Sequence, residues 1–392
     1  MPDLTVTTHE AAVEVYRCRS LRQALYDAGE VVMADVLVNL HGDAHRDRRR
    51  LENRLYRRDT LLHYERELFP DIVESTLRPH AERGHAELVE VGHQLMMNLA
   101  ATTAGVDRPL GTAEETARLY DYLRVFIEGA TLAHYTGDRV AKIAEVQAAL
   151  EEFDAEFLAP SIARRRELMA AGEELPRDIL AVLLENDDSL HLPHDVVRRE
   201  VAFYLLAGAH TSATAFTRVA HNMIRWVEAH PDDASSTTDL DFVQRCTSET
   251  IRLEPSSPVA LRRADEAVTL SDGTELEPGD EVTIDLLAVN RDPAVWGTDA
   301  DTFDPHRPTP EGAAAWGLSF GHGMHHCIGQ DLAAGAVLRG GAGDERLWGL
   351  VPVSVQWLFE HGCRADPDDP PTMDETTARP YFARHPVLLD AS

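Results

Sequence analysis

Ten consecutive residues near the end of the chain combine three glycines, three histidines and one cysteine, in the order Phe320-Gly321-His322-Gly323-Met324-His325-His326-Cys327-Ile328-Gly329. Glycine at this density indicates tight turns, or a backbone that another group approaches closely. A cysteine on such a loop can present its sulfur as a thiolate, the form that acts as nucleophile and metal ligand. The stretch therefore predicts a functional site around Cys327.

Three interpretations of this loop compete. A free cysteine is commonly just a small buried side chain, which is the simplest explanation of Cys327 alone. A zinc site would use His322, His325, His326 and Cys327, but zinc loops usually pair two ligands here with two more elsewhere at regular spacing. The third interpretation uses the whole stretch, because Phe-Gly-x-Gly-x-His-x-Cys-x-Gly resembles the haem-binding loop of the cytochrome P-450 family.

The resemblance implies haem b as cofactor, with Cys327 as the axial thiolate of its iron, a ligand that favours O–O cleavage. It also implies that His325 binds a haem propionate and that Phe320 packs near the sulfur and limits its hydrogen bonding. Gly329 is the last glycine of the same haem-binding pattern. The family carries further motifs at a distance, so the rest of the chain tests this interpretation.

The charge of the chain excludes several classes of partner. The 392 residues carry a net charge of −30 at pH 7, and 44% of them are hydrophobic, as in ordinary globular proteins. Such an excess of negative charge argues against non-specific binding to nucleic acid or to anionic membranes. Four widely spaced cysteines fit a reduced cytoplasm, and we recognise neither a signal peptide nor a membrane-spanning apolar run. We therefore expect a cytoplasmic protein with no nucleic-acid or membrane partner.

A basic segment lies close to the start of the chain. Its residues His45 and Arg49 are four apart and share one face of a predicted helix, for which Asp43 is a plausible N-cap. The simple interpretation is a solvated basic helix. In the resembled family a His-x-x-x-Arg helix binds a haem propionate, and a guanidinium with an imidazole N–H suits a carboxylate. The resemblance thus implies that His45 and Arg49 bind the cofactor.

The same segment concentrates arginines in an otherwise acidic chain, namely Arg46, Arg48, Arg50, Arg54, Arg57 and Arg58. In the resembled family this helix faces an acidic iron–sulfur partner, so the resemblance implies a ferredoxin and its reductase as electron donors. A basic patch that steers such a partner is physically reasonable. A solubilising role is an equally good explanation of any one of these arginines.

The longest predicted helix runs from about Asp195 to Ala229, some 35 residues or about 50 Å. Its middle is apolar and should be buried. At its centre lies Ala207-Gly208-Ala209-His210-Thr211-Ser212, where a glycine inside a helix calls for a packing or functional reason. Helix packing alone explains small residues. The resemblance implies instead the helix that lines the dioxygen site, in which Gly208 lets a flat group approach and Thr211 orders water.

At one position this helix departs from the family pattern, because His210 stands where an acid is usual. Histidine carries protons near neutral pH, so it can replace the acid in ordinary oxygen activation. The departure equally suits an atypical haem-thiolate enzyme, driven by peroxide or catalysing a non-hydroxylating oxidation. Because Thr211 is retained, ordinary oxygen activation is the preferred prediction.

The motifs between this helix and the cysteine loop concern the scaffold. Glu249 and Arg252 can form an ion pair on a helix, and the resemblance adds Arg307 as its third member. The segments 267–270 and 281–286 predict strands separated by turns. Just before them, Arg262 matches the family position for a second propionate arginine, and Arg263 is a nearby alternative.

Three further expectations concern the ends of the chain and one early helix. Leu21–Tyr26 reads as a helix. Fewer than 45 residues precede the His45 motif, so the first helix and part of the first sheet of the family would be missing. A helix should begin at Gln330, and the glycines of 340–343 should interrupt it.

Together these observations predict a mainly α fold with a small β region, a cytochrome P-450 fold that is short at its N-terminus, built as a single domain over residues 1–392. The implied activity is that of a haem-thiolate monooxygenase, which inserts one atom of O2 into a small organic substrate with electrons from a ferredoxin-type donor. Alternatives are the atypical oxidation above and a haem-binding protein without turnover.

Overall fold

The computed structural model describes residues 4–338, 345–375 and 380–390. Helices account for 59% of the residues, so the predicted mainly α fold class is confirmed. The chain divides into two compact units. Unit 1 comprises Met1–Arg22, Leu61–Leu95 and Thr211–Ser392, and unit 2 comprises Gln23–Thr60 and Met96–His210. That the whole chain folds as a single domain stays a prediction.

The helices of the described residues follow one another with short connections. In chain order they are α1 (His9–Arg17), α2 (Glu30–Met33), α3 (Gly42–Glu52), α4 (Arg58–His63), α5 (Phe69–Arg83), α6 (Leu88–Ala104), α7 (Ala113–Ala130), α8 (Arg139–Phe153), α9 (Ala159–Ala171), α10 (Ile179–Glu185), α11 (Asp187–Leu190), α12 (His194–Ala229), α13 (Leu240–Leu253), α14 (Leu286–Val289), α15 (Pro293–Trp296), α16 (Gln330–Ala334) and α17 (Leu350–Glu360). None of them combines the length and the apolar composition that a bilayer crossing requires.

The strands of the described residues are short. They are β1 (Leu4–Val6), β2 (Leu21–Gln23), β3 (His85–Glu87), β4 (Val259–Ala264), β5 (Val268–Thr269), β6 (Glu275–Leu276), β7 (Glu281–Asp285), β8 (Ala336–Leu338), β9 (Glu345–Leu347), β10 (Arg364–Ala365), β11 (Thr372–Met373), β12 (Phe382–Arg384) and β13 (Pro386–Leu388). The strands predicted around 268 and 281 are thereby confirmed.

One sheet matters most for the site, with strand order β1-β7-β4-β2. Strand β1 runs parallel to β7, while β4 runs antiparallel to β7 with Arg262 opposite Val282. One face of this sheet packs on α1 through a buried cluster that includes Val15, Tyr16 and Ile284. The sheet therefore fixes Arg262 and α1 relative to each other.

Unit 2 gathers an aromatic core from α7, α8 and the π-helical turn Asp154–Leu158. The rings of Phe126 and Phe153 meet edge to face at 5.4 Å, and Tyr122 contacts both of them and Phe157. Such pairs add to the free energy of burying their area, so this cluster accounts for the packing of the amphipathic helices between 113 and 169. Residues 131–138 separate α7 from α8.

Local predictions near helix ends were less accurate. The helix predicted over Leu21–Tyr26 is wrong, because Leu21–Gln23 forms strand β2 at the edge of the sheet and buries Leu21 and Gln23. Pairing with β4 overrides a weak local preference. Likewise α3 begins at Gly42, with His41 as its N-cap, so Asp43 lies in the first turn. There its carboxylate still complements the helix dipole.

The helix after the cysteine loop, α16, begins at Gln330 as predicted but has only five residues. It ends at Gly335, whose φ of 84° only glycine adopts easily. A Cβ at position 335 would also lie 2.3 Å from the carbonyl oxygen of Trp348. Gly335 therefore ends α16, and the predicted interruption at 340–343 lies outside the described residues.

Candidate functional site

The cysteine loop in unit 1 closes on itself through backbone geometry. Gly321 and Gly323 have φ values of 72° and 70°, in the left-handed region that favours glycine. The amide of Cys327 donates a hydrogen bond of 2.8 Å to the carbonyl oxygen of Phe320. Between them, Gly323–His325 forms a single 3₁₀ turn. This backbone bond holds Phe320 beside the start of Cys327, while His325 lies on the intervening turn.

The base of the loop is held by one buried amide side chain that sequence reasoning did not single out for this role. Asn290 accepts the N–H of Leu318 at 2.8 Å, and its amide donates to Ser319 Oγ at 2.8 Å and to the carbonyl oxygen of Arg252 at 3.0 Å. A Cβ at Gly317 would lie 2.3 Å from Asn290 Oδ1, so only glycine fits there. Asn290 therefore connects the loop to α13.

The four cysteines differ in their surroundings, and the difference favours Cys327. Burial raises the pKa of the Cys363 thiol to about 12 and raises the pKa of Cys246 well above its ordinary value. Both thiols therefore stay protonated at neutral pH and make poor metal ligands. Cys18 and Cys327 are half-buried, and of these two Cys327 lies on the glycine-rich loop.

Arg262 reaches the same loop through Tyr16 of α1. The Arg262 guanidinium is buried, with its central carbon 4.9 Å from the centre of the Tyr16 ring. Burial raises the pKa of Tyr16 to about 12, against the opposing charge of Arg262. A Cβ at Gly323 would lie 2.6 Å from the carbonyl oxygen of Tyr16, so the loop packs directly on this residue. Tyr16 thus bridges Arg262 and the cysteine loop.

Arg263, the alternative to Arg262, points to the opposite side of β4, because side chains alternate along a strand. Its Nε donates to Glu281 Oε1 at 3.0 Å, and both side chains are about one-third exposed. The guanidinium of Arg263 is therefore already engaged with a carboxylate on the surface. Of the two arginines, Arg262 is the better placed to bind a carboxylate of a cofactor.

The predicted ion pair on α13 is present and buried. Arg252 forms two hydrogen bonds of 2.7 Å with the two carboxylate oxygens of Glu249, and Arg307 Nε donates to Glu249 Oε1 at 3.1 Å. Arg252 also donates to the carbonyl oxygens of Asn290 and Ala300. We call Glu249, Arg252 and Arg307 the α13 triad; Arg307 also pairs with Asp299 at 3.1 Å, and the triad supports the residue that holds the cysteine loop.

In unit 2 the predicted propionate helix is α3. His45 is buried on it, and Arg49 is half-buried one turn later. Burial, and next the charges of Arg49 and His41, lower the pKa of His45 to about 4. His45 is therefore neutral at pH 7 and offers a hydrogen bond, while Arg49 supplies positive charge. That combination suits an anionic carboxylate.

Two further polar residues of α3 are buried against the first half of α12. Arg48 donates to Glu200 Oε2 at 2.8 Å, and Glu52 accepts a hydrogen bond of 2.6 Å from the Tyr204 hydroxyl. Sequence reasoning placed Arg48 in a surface patch and did not identify Glu52, Glu200 or Tyr204. The sequence signal for these residues is a repeated spacing of four, from Arg48 to Glu52 and from Glu200 to Tyr204. This spacing places the two residues of each pair on one helix face.

The arginines of this segment are therefore not all on the surface. Arg48 is buried in its pair with Glu200, and Arg58 is half-buried. Those that are exposed are Arg46, Arg50, Arg54 and Arg57. We call these four the basic patch.

The middle of α12 is buried on one side and open on the other. Ala209 and Ser212 are buried, whereas Gly208 and Thr211 are exposed and His210 is half-buried. The prediction that this middle is buried is thus correct for one face only. A Cβ at Gly208 would lie 3.3 Å from the Cβ of Ala100 in α6, so close helix packing also favours glycine here.

The side chains considered above as zinc ligands do not form a metal site. In the described part of the chain, no group of three or more His, Cys, Asp or Glu side chains is placed to hold a metal ion. The haem interpretation needs a single thiolate from the loop and separate donors for the propionates. Within unit 1 the structure brings Arg262 and the cysteine loop together on Tyr16, and within unit 2 it places His45 and Arg49 on α3. A thiol beside a buried guanidinium in unit 1, and an imidazole with a guanidinium in unit 2, are the kinds of side chain that a haem group needs.

Comparison with known proteins decides the family. The family model for cytochrome P-450 matches residues 141–336, half of the chain. The chain belongs to the cytochrome P-450 family. Cytochrome P-450 4F12 of Homo sapiens is 26% identical over 183 residues, which are 40% of this chain and 34% of that protein. The cyclomarin C epoxidase CymV of Salinispora arenicola (strain CNS-205) is 29% identical over 252 residues, 60% of each protein.

The chain spans about a third of the length of the first curated cytochrome P-450 relatives it matches. Solved structures cover it more fully. P-450BioI, solved in complex with a hexadec-9Z-enoic acid ligated acyl carrier protein, matches 99% of this chain and 92% of its own with a TM-score of 0.77 at 18% identity. CalO2 matches 99% and 91%, also with a TM-score of 0.77, at 20% identity. The predicted cytochrome P-450 fold is therefore confirmed.

Proposed function

We propose that the protein is a haem-thiolate monooxygenase that inserts one atom of O2 into a small organic substrate. The observation that carries the proposal is the half-buried Cys327 on a loop of the cytochrome P-450 pattern, in a chain that belongs to that family. CymV, a relative over 60% of the chain, is an epoxidase, and epoxidation is one such oxygen insertion. We further propose that residues 1–392 act as one haem domain, and the widely spaced cysteines suit the cytoplasm.

Each site residue has a proposed role toward the cofactor. Cys327 binds the iron, Phe320 shields the sulfur, and Gly329 completes the loop. The donors proposed for the propionates are His45, Arg49, Arg262 and His325. When bound, haem b supplies the iron at which dioxygen is activated, and a thiolate ligand favours O–O cleavage. Arg262 and Arg49 supply positive charge to the propionates, while neutral His45 supplies a hydrogen bond.

The residues proposed to line the dioxygen site, if haem is bound, lie on α12. Thr211 is exposed on the open face of the helix, and its hydroxyl can order a water molecule. His210, half-buried beside it, would deliver protons in place of the usual acid. Gly208, exposed on the same helix, is proposed to let a flat group approach the backbone.

The proposed electron donor is a ferredoxin that docks on the basic patch. Four exposed arginines stand out in a chain with a net charge of −30, and an acidic partner would be steered to them at low ionic strength. A ferredoxin reductase would complete the supply of electrons.

A second candidate function follows from His210. If histidine does not deliver protons for dioxygen cleavage, the enzyme would use peroxide, which brings its own oxygen–oxygen bond and needs no reductase. The two candidates differ in the oxidant, because only the first uses O2 and needs His210 to deliver protons.

The experiment compares the haem-loaded protein and its His210→Ala variant with two oxidants. One arm uses NADPH with a surrogate ferredoxin and reductase, and the other uses hydrogen peroxide, with oxidised products of a panel of small aromatic and terpenoid compounds measured by mass spectrometry. The monooxygenase proposal predicts reductase-driven products containing oxygen from labelled O2. His210→Ala should lower their rate by roughly tenfold or more, because positioned proton transfer contributes at least that much. Products from peroxide alone would favour the second candidate.

A further inference from the structure

Helix α3 buries a polar face. Amphipathic helices normally bury their apolar residues, but the buried side chains of α3 are His45, Arg48 and Glu52. Glu52 is 0% exposed and Arg48 is 6% exposed. The position of this helix therefore depends on hydrogen bonds and charges, and these depend on protonation.

Two connections join this face to the first half of α12. In one, Arg48 contacts Glu200, whose two carboxylate oxygens also accept the N–H of Leu37 at 3.0 and 3.1 Å. In the other, the Tyr204 hydroxyl donates to Glu52 Oε2. The remaining oxygen of Glu52, Oε1, is buried and has no hydrogen-bond partner among the described residues. We call Arg48, Glu52, Glu200 and Tyr204 the α3 cluster.

The charges of the α3 cluster do not balance if every group ionises. Two carboxyl groups face one guanidinium, so full ionisation would leave one negative charge buried. The other titratable groups that act on the cluster are Arg49 on the α3 side and Tyr56, which lies after α3 and acts on Tyr204. Two carboxylates that share a buried site cannot both ionise easily, because burial and mutual repulsion disfavour the second charge.

We propose that Glu52 and Glu200 share one proton at neutral pH, and that this proton holds α3 against α12 and thereby positions His45 and Arg49. The cluster is then neutral, with Arg48 paired to an ionised Glu200 and Glu52 protonated. Loss of the proton leaves a buried charge that loosens α3. The role of His45 and Arg49 rests on the proposed function, whereas the shared proton does not.

The pKa shifts agree with this geometry. Burial, and next the charge of Glu200, raise the pKa of Glu52 well above its ordinary value. Burial raises the pKa of Glu200 to about 7, against the opposing effects of Arg48 and the Leu37 N–H. Because the pKa of Glu52 is raised in the folded state, the stabilisation from its proton is complete below its ordinary pKa of about 4.5 and is lost as the pH rises through the folded-state pKa of Glu52.

The first test detects the proton itself and does not need haem. A protonated carboxyl group has an infrared C=O stretch that a carboxylate lacks. The purified protein at pH 7 should show such a band, and Glu52→Gln should remove the part of it that comes from Glu52. Asp47→Asn is the matched control, because Asp47 lies on the exposed face of the same helix and should leave the band unchanged. An unchanged band in Glu52→Gln would overturn the proposal.

The second test measures positioning in the haem-loaded protein, by transfer of haem to excess apomyoglobin. In the wild type the release rate should rise by about tenfold between pH 7 and pH 9, which corresponds to one pKa unit of coupling. Glu52→Gln, which resembles the protonated form, should release haem slowly at both pH values. The same rise in haem release with pH in the wild type and in Glu52→Gln would contradict the positioning role.

Tyr204→Phe provides a second variant with a distinct expected result. The Tyr204 hydroxyl donates a hydrogen bond that favours the ionised form of Glu52. Without this donor, Glu52 should hold its proton more tightly. The rise in haem release should therefore move to higher pH. A shift to lower pH would overturn the proposal. If the protein binds no haem, the infrared band still tests the shared proton while the proposed function fails.

Discussion

Two of the buried ion clusters among the described residues have opposite compositions. The α13 triad in unit 1 pairs one carboxylate, Glu249, with two guanidinium groups. The α3 cluster in unit 2 pairs one guanidinium, Arg48, with two carboxyl groups. Both are buried and both join distant parts of the chain.

The difference in composition leaves the α3 cluster with a surplus carboxyl group, whereas the α13 triad has none. Guanidinium groups stay charged at any pH a protein tolerates, and those of the α13 triad also donate to backbone carbonyl oxygens. A surplus carboxyl group must instead hold a proton or leave a buried charge. We infer that the cysteine loop rests on a fixed scaffold, whereas the helix with His45 and Arg49 rests on a scaffold that responds to pH.

The largest expected loss of stability comes from removing one arginine of the α13 triad. Arg252→Ala should lower the free energy of unfolding by about 3–5 kcal/mol, because it leaves the Glu249 carboxylate buried with only part of its pairing. Urea unfolding followed by circular dichroism measures it. The control is Arg245→Ala on the same helix, which removes an exposed pair with Asp241 and should cost about 0.5 kcal/mol. Equal losses in the two variants would refute the assigned role of the triad.

Substitutions of Arg262 and Arg263 should differ in their effect on haem binding, and we expect this difference to be of intermediate size. Arg262→Leu should weaken haem binding by at least about tenfold, since a charge-assisted hydrogen bond to a propionate contributes about 1.5–3 kcal/mol. Arg263→Leu removes a partly exposed pair with Glu281 and should leave haem binding nearly unchanged. Haem transfer to apomyoglobin compares the two directly. The reverse ranking would move the propionate ligand to Arg263.

A smaller effect should appear on the acid side of the pH profile. The folded-state pKa of His45 is lowered to about 4, so its contribution to stability is present above about pH 6.5 and is lost as the pH falls through 4. His45→Gln cannot titrate and should flatten this part of the wild-type profile. Chemical unfolding between pH 4 and pH 7 measures the difference. An unchanged slope would show that His45 is not the titrating group.

Much of the fold and of the site could be predicted because its signals are local. The glycine-rich loop around Cys327, the spacing of Glu249 and Arg252, and the long apolar run of α12 each lie within one short segment. The strands near 268 and 281 alternate and carry turn residues. In each case the pattern itself requires the structure.

The rest depends on pairings between distant residues. Arg48 and Glu200 are 152 positions apart, and Tyr16 meets Arg262 only because α1 packs on the sheet. A single sequence does not show that Arg48 turns inward while Arg46 faces solvent, and it does not show that Leu21 pairs into a sheet. These features follow from tertiary packing, which overrides local preference.

The most direct test of the account is the Soret spectrum of the reduced, carbon-monoxide-bound protein. If Cys327 binds the iron, the wild type shows the strongly red-shifted band of thiolate-ligated haem and Cys327→Ala loses it. The band survives in Cys18→Ala, which removes the other half-buried thiol. A shifted band that persists in Cys327→Ala, or a purified protein that holds zinc and no iron, would contradict it.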